Sequence, residues 1–285
     1  MKNIDEPGGD ARQTRKSTKL VTKDSRRDEV GDRGTPLMAE SEGHAEKVVT
    51  KEIDLENFSS VEVDGTFKVE ITCFNSYGIA IKADEGLLDY VDIVKSGNTL
   101  RLSLKPFSFH MEPPLKVRLP IEVRPTLEAR VLMPALRKLR LAAATKGIVK
   151  GFSSQDGFDL YLSGASALDI DMESGETKLE ISGASRLSGK MKLGDAEFIL
   201  SGASRAEISG SASRAVLSGW GASRLDLAGF TLSEASVHLK GASRATVNVN
   251  GKLDVDLSGA SRLNYLGNPT LHDINVSGAS VLSQR

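Results

Sequence analysis

The sequence has a single cysteine, Cys73, so it can form neither an internal disulfide nor a cysteine-based zinc site. It has no run of 18 apolar residues, and no transmembrane helix is therefore expected. Aromatic residues make up only 5% of the chain, with one tryptophan. Neither sign of charge dominates, because 37 Lys and Arg balance 38 Asp and Glu, and a nucleic-acid partner is not expected.

Glycine and small side chains are abundant instead. Of the 285 residues, 27 are glycine, and 39% of the chain is hydrophobic, which is enough for a core. A core with few bulky rings and many small residues is typical of a thin, regularly stacked architecture.

Residues 1–50 are predicted to be a disordered, charged tail. They carry ten basic and ten acidic residues and almost no periodic apolar pattern, so they cannot bury enough surface to offset the entropy of ordering. The basic stretch from Arg12 to Arg27 is either solvated or a weak contact with an anionic surface or a nucleic acid. The first ten residues lack the apolar stretch of a signal peptide, and taken literally this predicts a cytoplasmic chain.

Short strands are predicted from about residue 51 onwards. Residues 58–65, 67–72, 78–83 and 99–104 alternate apolar and polar side chains and are separated by turn residues. Period-two alternation is typical of strands with one buried face. We expect an irregular first part over 51–157, with a short helical turn at 86–90.

A repeat of about 19 residues then takes over, in the part 158–285. The tripeptide Gly-Ala-Ser begins at Gly164, Gly183, Gly202, Gly221, Gly241, Gly259 and Gly278. The spacings are 19, 19, 19, 20, 18 and 19 residues, and five of the seven copies continue with Arg. A fixed short period is a strong signal for a stacked repeat architecture.

The repeat predicts an all-β fold, a single-chain parallel β-helix with about 19 residues per coil over residues 51–285. Each repeat is too short for a helix pair, and strand alternation within it lets equivalent positions stack about 4.8 Å apart. Right-handed winding is preferred on the general handedness of parallel crossovers. Counted from Ile53, the length gives about twelve coils and a rod of roughly 55–60 Å.

Two columns of side chains follow from alternation across Gly-Ala-Ser-Arg. The arginines face outward because the next residue is apolar: Arg186, Arg205, Arg224, Arg244 and Arg262. The serines face inward, where stacked hydroxyls can bond to one another as a ladder: Ser185, Ser204, Ser223, Ser243 and Ser261. The arginine column is either the plain solvent face of the corner or a contact surface for a polyanion or a partner protein.

Catalytic, cofactor-binding and metal-binding residues are not expected. No histidine has a second histidine or a cysteine at i+2 or i+4, and His238 is predicted to pair with Asp256 one coil later at the surface. No phosphate-binding loop or nucleophile elbow is present. Carboxylates that could serve a polysaccharide-cleaving enzyme are spread over different coils: Asp169 and Asp171, Asp195 and Glu197, Asp254 and Asp256.

Residues 50–285 resemble a bacterial family, the auto-transporter adhesin head or GIN domain. The resemblance rests on FSSVEVDG at 58–65, FKVEI at 67–71, LLDYV at 87–91 and NTLRL at 98–102, followed by PALRKLRL at 134–141 and the Gly-Ala-Ser coils. It implies a β-helix outside the cytoplasm, at the cell surface, with a presumed adhesive or structural role, and supplies no functional residues. Members usually carry a secretion signal, whereas this chain begins with a charged tail.

These observations predict a non-enzymatic β-helical scaffold of the bacterial cell envelope, adhesin-like or structural, without a cofactor. Polysaccharide or a surface protein is the expected kind of partner, and the open last coil predicts self-association through coil ends or faces. Two alternatives remain: a polysaccharide-active β-helix enzyme, and an anion-binding module that uses the outward arginines.

Overall fold

The structure is a computed structural model that describes residues 47–105 and 126–285, together with the backbone of Leu20–Val21. The elements of its first part are β1 (Leu20–Val21), β2 (Val48–Ile53), β3 (Ser60–Gly65), β4 (Lys68–Cys73), β5 (Gly78–Asp84), α1 (Glu85–Leu88), β6 (Val91–Ser96), β7 (Thr99–Leu104) and β8 (Leu127–Met133). Most of the predicted tail, His44, His110 and the prolines at 113, 114 and 120 lie outside the described residues.

The second part contains strands only. They are β9 (Lys138–Ala143), β10 (Lys146–Ser153), β11 (Phe158–Leu162), β12 (Ala167–Ser174), β13 (Thr177–Ile181), β14 (Arg186–Leu193), β15 (Asp195–Leu200), β16 (Arg205–Gly219), β17 (Arg224–Leu239), β18 (Arg244–Val249), β19 (Lys252–Leu257), β20 (Arg262–Leu266), β21 (Thr270–Val276) and β22 (Val281–Gln284). The prediction of an all-β, β-helical fold is confirmed.

Strands stack in two columns, which form the two faces of a solenoid. Face A runs through β7, β3, β9, β11, β13, β15, the last parts of β16 and β17, β19 and β21, and every neighbouring pair is parallel. Face B runs in the same way through β8, β4, β10, β12, β14, the first parts of β16 and β17, β18, β20 and β22. One turn is a face A strand followed by a face B strand.

The regular solenoid has eight successive turns about 19 residues apart, from β9–β10 to β21–β22. The predicted count of about twelve coils is wrong. Two further layers precede these eight, which gives ten layers and a stack about 43 Å long at 4.8 Å per step. The remaining strands of the first part run antiparallel to their partners and add no turn: β1 pairs with β2, β6 with β7, and β5 with both β8 and β2.

The first layers do not follow chain order. The β3–β4 layer lies between the β7–β8 layer and the β9–β10 layer. The chain therefore forms the β3–β4 layer first and adds the β7–β8 layer on one side of it. It then adds the β9–β10 layer, the first regular turn, on the other side. The helical turn expected near Gly86 is present as α1.

Side-chain alternation fills the space between the faces with one continuous core. Inward positions of successive turns are buried, for example Leu160, Leu179, Phe198 and Leu217. Phe198 and Phe230 meet edge to face with ring centroids 6.1 Å apart. Because each turn covers the apolar residues of the turn before it, burial comes from stacking as much as from the width of the core.

Glycine is required at the Gly-Ala-Ser corners, which join face A to face B. The seven corner glycines have φ between +68° and +78°, and the backbones of successive corners touch: the Ala184 N–H donates to the Gly164 carbonyl at 2.7 Å. The same conformation occurs one turn earlier at Ala143, whose φ is +59°. Ala143-Ala144-Thr145 is thus an eighth corner, which the sequence pattern did not reveal because two of its three residue types differ.

Candidate interaction surface

The outward arginines form a straight row along face B. Arg186, Arg205, Arg224, Arg244 and Arg262 are register partners on five consecutive strands, from β14 to β20. We call this row the arginine stripe. Its four steps of about 4.8 Å give a length of about 19 Å, and alanine and valine end it, at Ala167 on one side and Val281 on the other.

Most of the stripe has no counter-ion among the residues that the structure describes. Arg205 pairs with Glu207, with Nη2 and Oε2 3.5 Å apart, and no ion pair is formed by the other four arginines in this part of the chain. Asp226 lies two residues after Arg224, but its carboxylate accepts a hydrogen bond from the backbone N–H of Ala228 at 3.1 Å. Four guanidinium groups are thus free to meet an external anion.

The column next to the stripe is mixed. Position by position it reads Asp169, Ser188, Glu207, Asp226, Thr246 and Asn264. Acidic groups therefore flank the stripe at its middle turns, whereas hydroxyl and amide groups flank Arg186, Arg244 and Arg262.

The serines behind the stripe point into the core. All five are buried, together with Ser166 and the equivalent Thr145. The expected ladder of hydroxyl–hydroxyl bonds is formed at one step only, where Ser223 donates to Ser243 at 3.2 Å. A carbonyl three residues back is nearer: Ser243 donates to Lys240 and Ser261 to Ser258, both at 2.8 Å.

Two of these serines are Ser185 and Ser204, whose hydroxyl oxygens have no hydrogen-bond partner. The corner serines are therefore in three different states, although their positions are equivalent. Their shared property is burial of a small polar group directly behind each arginine.

Charges away from the stripe pair from one turn to the next, on face A and also on face B, where Lys192 pairs with Glu173 and Lys150 with Glu70. Asp195 and Arg214 are 2.6 Å apart, Arg137 and Asp156 2.8 Å, and Lys178 and Glu197 3.7 Å, and in each pair the two residues are 19 positions apart. The hydrogen bond from Arg214 lowers the pKa of Asp195, and Asp195 in turn raises the pKa of Arg214. Opposite charges one repeat length apart in the sequence are the signal from which these pairs could have been predicted.

A cluster of histidine and carboxylates lies on the last turns of face A. Strand β21 bulges there, so that His272 and Asp273 together oppose Asp254. Asp254 accepts from His272 Nδ1 at 3.0 Å and from the Asp273 backbone N–H at 3.2 Å, and Lys252 Nζ lies 3.0 Å from its other oxygen. The hydrogen bond from Lys252 is the main cause that lowers the pKa of Asp254.

The ligand atoms of His272, Asp254 and Asp273 lie within 4.8 Å of one another, which is close enough to hold a metal ion. The Lys252 ammonium already forms an ion pair with the Asp254 carboxylate, so a metal cation would have to displace this ammonium. The predicted surface pair of His238 and Asp256 is present, with Nδ1 and Oδ2 4.0 Å apart. Neither arrangement gathers acid and base groups around a cleft.

A groove of about 480 Å³ on face A brings several carboxylates together. Its lining includes Asp159, Glu176, Asp195 and Glu197, together with Lys178. Asp195 and Glu197 are held by Arg214 and Lys178. Asp169 and Asp171, which the sequence analysis also considered, lie on face B, and Asp254 and Asp256 lie on later turns of face A.

Trp220 is a surface feature that the repeat pattern did not predict. It occupies the position before the corner glycine, where most turns have serine, and 46% of its surface is exposed. Arg224 follows on the other side of the same corner. A tryptophan that is not needed for the core is a frequent component of binding surfaces.

The last turn leaves apolar side chains uncovered. Leu271, Ile274, Val276 and Val281 are each 41–43% exposed. Self-association through this end remains a prediction, which light scattering of a concentrated solution tests.

Of the helices in the described residues, none combines the length and the apolar character that a membrane span needs.

Comparisons with known proteins agree with this architecture. The sequence model of a family described as "Putative auto-transporter adhesin, head GIN domain" matches residues 57–269. None of the curated proteins matches the chain. Several crystal structures are similar, at identities that show the fold alone.

These structures include two from Parabacteroides. A "putative lipid binding protein" from Parabacteroides distasonis has a TM-score of 0.74 at 15% identity, over 85% of this chain and 98% of that chain. A "putative adhesin" from Parabacteroides merdae has a TM-score of 0.73 at 17% identity, over 85% and 97%. A third, a "putative adhesin" from Bacteroides fragilis, has a TM-score of 0.56 at 14% identity, over 85% and 98%.

Proposed function

Because the chain belongs to the auto-transporter adhesin head (GIN) domain family, we propose that it is a non-enzymatic, adhesin-like scaffold of the bacterial cell envelope. It binds its partner through the long outer faces of the solenoid. The names of its structural relatives, putative adhesins among them, are in keeping with this proposal.

The distribution of charged side chains carries the proposal. On both faces they pair between turns, whereas the arginine stripe is free along most of its length. Long faces with repeating side chains are suited to extended partners, as in other solenoid proteins. Glycoside hydrolysis needs a different arrangement. It requires a cleft in which a carboxylic acid with a raised pKa faces a second carboxylate.

The alternative of a polysaccharide-active enzyme is weakened by Asp254. A general acid must hold its proton near neutral pH, which requires a raised pKa. The pKa of Asp254 is lowered, with Lys252 as the main cause, and the pKa of Asp195 in the groove is lowered by Arg214. Both groups are therefore carboxylates at neutral pH and poor proton donors.

Bead adhesion tests the proposed function. Beads coated with the folded chain should attach to bacterial or host cell layers in greater numbers than beads coated with the heat-unfolded chain. Intact cells of the source bacterium should be labelled by an antibody against the solenoid.

An assay of reducing ends on acidic and neutral polysaccharides, with and without calcium, tests the enzymatic alternative in parallel. Turnover that Asp254→Ala or Asp256→Ala abolishes would overturn the non-enzymatic proposal, as would equal attachment of folded and unfolded chains.

A further inference from the structure

We infer that the arginine stripe is a binding site for a linear acidic polysaccharide that lies along face B, parallel to the axis of the solenoid. This rests on the proposed function and deepens it, because it names the site and the chemical class of the partner. Arg224, Arg244 and Arg262 form its core, and Trp220 lies at one corner beside it.

The stripe is suited to an anionic ligand, because its charges repel one another and four of its five guanidinium groups form no ion pair with the described residues. Five guanidinium groups repeat at one-turn spacing, and only Arg205 has an ion pair among the described residues. A guanidinium binds a carboxylate or sulfate through two parallel hydrogen bonds, which a lysine cannot do. An anionic ligand removes the repulsion and satisfies the free donors together.

A row one residue wide favours a linear polymer over a flat surface. The stripe is about 19 Å long, at four steps of 4.8 Å, but the adjoining column contains Asp169, Glu207 and Asp226. An anionic membrane laid on face B would meet these carboxylates as well as the arginines and would be repelled by them. A single chain with acidic groups at intervals of one or two turns meets the arginines alone.

The neighbours of the stripe favour a sugar polymer. Ser188, Thr246 and Asn264 lie in the adjoining column, and their hydroxyl and amide groups can exchange hydrogen bonds with sugar hydroxyls. Trp220 offers an exposed ring before Arg224. The whole chain has a net charge of −1, whereas a nucleic-acid-binding domain usually has a clear basic excess.

Calorimetric titration of the full chain with polygalacturonate, with dextran as the neutral control, tests the inference. Polygalacturonate should bind, its affinity should fall as salt is raised, and dextran should not bind. The triple variant Arg224→Gln, Arg244→Gln, Arg262→Gln should lose about tenfold or more in affinity and show a shallower salt dependence, because each arginine contributes a charge contact. The fluorescence of the single tryptophan gives a second readout.

The matched control variant is Lys95→Gln, Lys138→Gln, Arg140→Gln. It also removes three positive charges, those of Lys138 and Arg140 on face A and that of Lys95 on the adjoining β6. It should change the affinity less than about threefold, as expected when only long-range charge is lost. Equal losses in the two triple variants, or no loss in either, would overturn the site.

Two further ligands separate the partner classes: single-stranded oligothymidylate, and phosphatidylcholine vesicles with phosphatidylglycerol. Stronger binding of either one, with the same dependence on the stripe, would overturn the assignment to polysaccharide. If none of the acidic ligands binds while coated beads still attach to cells, this inference is rejected and the proposed function stands.

Discussion

A Cβ atom on Gly183 would lie 2.5 Å from the carbonyl oxygen of Gly164, the glycine at the same corner one turn earlier. Gly183 also has a φ of +71°, which side chains rarely adopt. A side chain at Gly183 is therefore unfavourable for two separate reasons, steric and conformational. This explains why Gly recurs at a period set by the solenoid, and it makes the corner the most sensitive position of the repeat.

Gly183→Ala should destabilise the protein by about 2–4 kcal/mol, because the methyl group forces two backbones apart and the backbone is strained. The urea midpoint, followed by circular dichroism, measures the change. Gly86→Ala is the control, since nothing lies within 4 Å of a Cβ there, and it should leave the midpoint unchanged or slightly higher. Equal midpoints for the two variants would mean that the corners are not in contact.

Ala143→Gly should stabilise the protein by about 0.5–1 kcal/mol. Ala143 has a left-handed φ of +59°, and glycine relieves a strain of about 1–2 kcal/mol at the cost of a smaller loss of chain entropy. Ala144→Gly, at the next position, has no such strain to relieve and should destabilise. A lower thermal midpoint for Ala143→Gly than for the unmodified protein would contradict the eighth corner.

Ser185→Ala should be neutral or slightly stabilising, because the hydroxyl that it removes is buried and has no hydrogen-bond partner. Ser243→Ala should cost about 1–2 kcal/mol, since Ser243 donates to the Lys240 carbonyl and accepts from Ser223. Chemical denaturation of the two variants side by side gives the comparison. The same loss in both would show that the two hydroxyls are equally satisfied.

Acid should weaken the protein partly through Glu70. Its pKa is lowered from 4.5, chiefly by a hydrogen bond from Lys150, with a smaller contribution from Arg130. A lowered folded-state pKa gives stability that is present above pH 4.5 and is lost as the pH falls through the folded value. Glu70→Gln should therefore lower the urea midpoint at pH 7 and have less effect at pH 3.

Glu180→Gln serves as the control for this pH dependence, because Glu180 forms no ion pair among the described residues. It should shift the midpoints at pH 7 and pH 3 by similar, small amounts. If Glu70→Gln behaved in the same way, the contact with Lys150 would contribute nothing to the acid sensitivity.

The sequence predicted the solenoid because the corner imposes Gly-Ala-Ser at a fixed period. It could not predict the order of the first layers. Strands β3, β4, β7 and β8 alternate in the same way as the regular strands, and which ones become neighbours depends on long connections. Ala143 was missed because its corner is maintained by surrounding contacts instead of by glycine.

The candidate surface was predicted in part. Alternation predicted that the arginines face outward and the serines inward, since both depend only on the phase of the strand. The hydrogen-bond partner of each serine depends on side-chain rotamers that alternation does not determine. The bulge that brings His272 and Asp273 to Asp254 is a local irregularity, and it breaks the period from which predictions were made.

In-register stacking of the arginine positions is the central claim, and electron paramagnetic resonance tests it most directly. In a Cys73→Ser background, cysteine replaces all five arginines of the stripe, and each cysteine carries a nitroxide label. Labels about 4.8 Å apart on successive strands should exchange spins and give a single narrowed line, while Arg224→Cys alone gives three lines. Three unbroadened lines from the fivefold variant would contradict the stack.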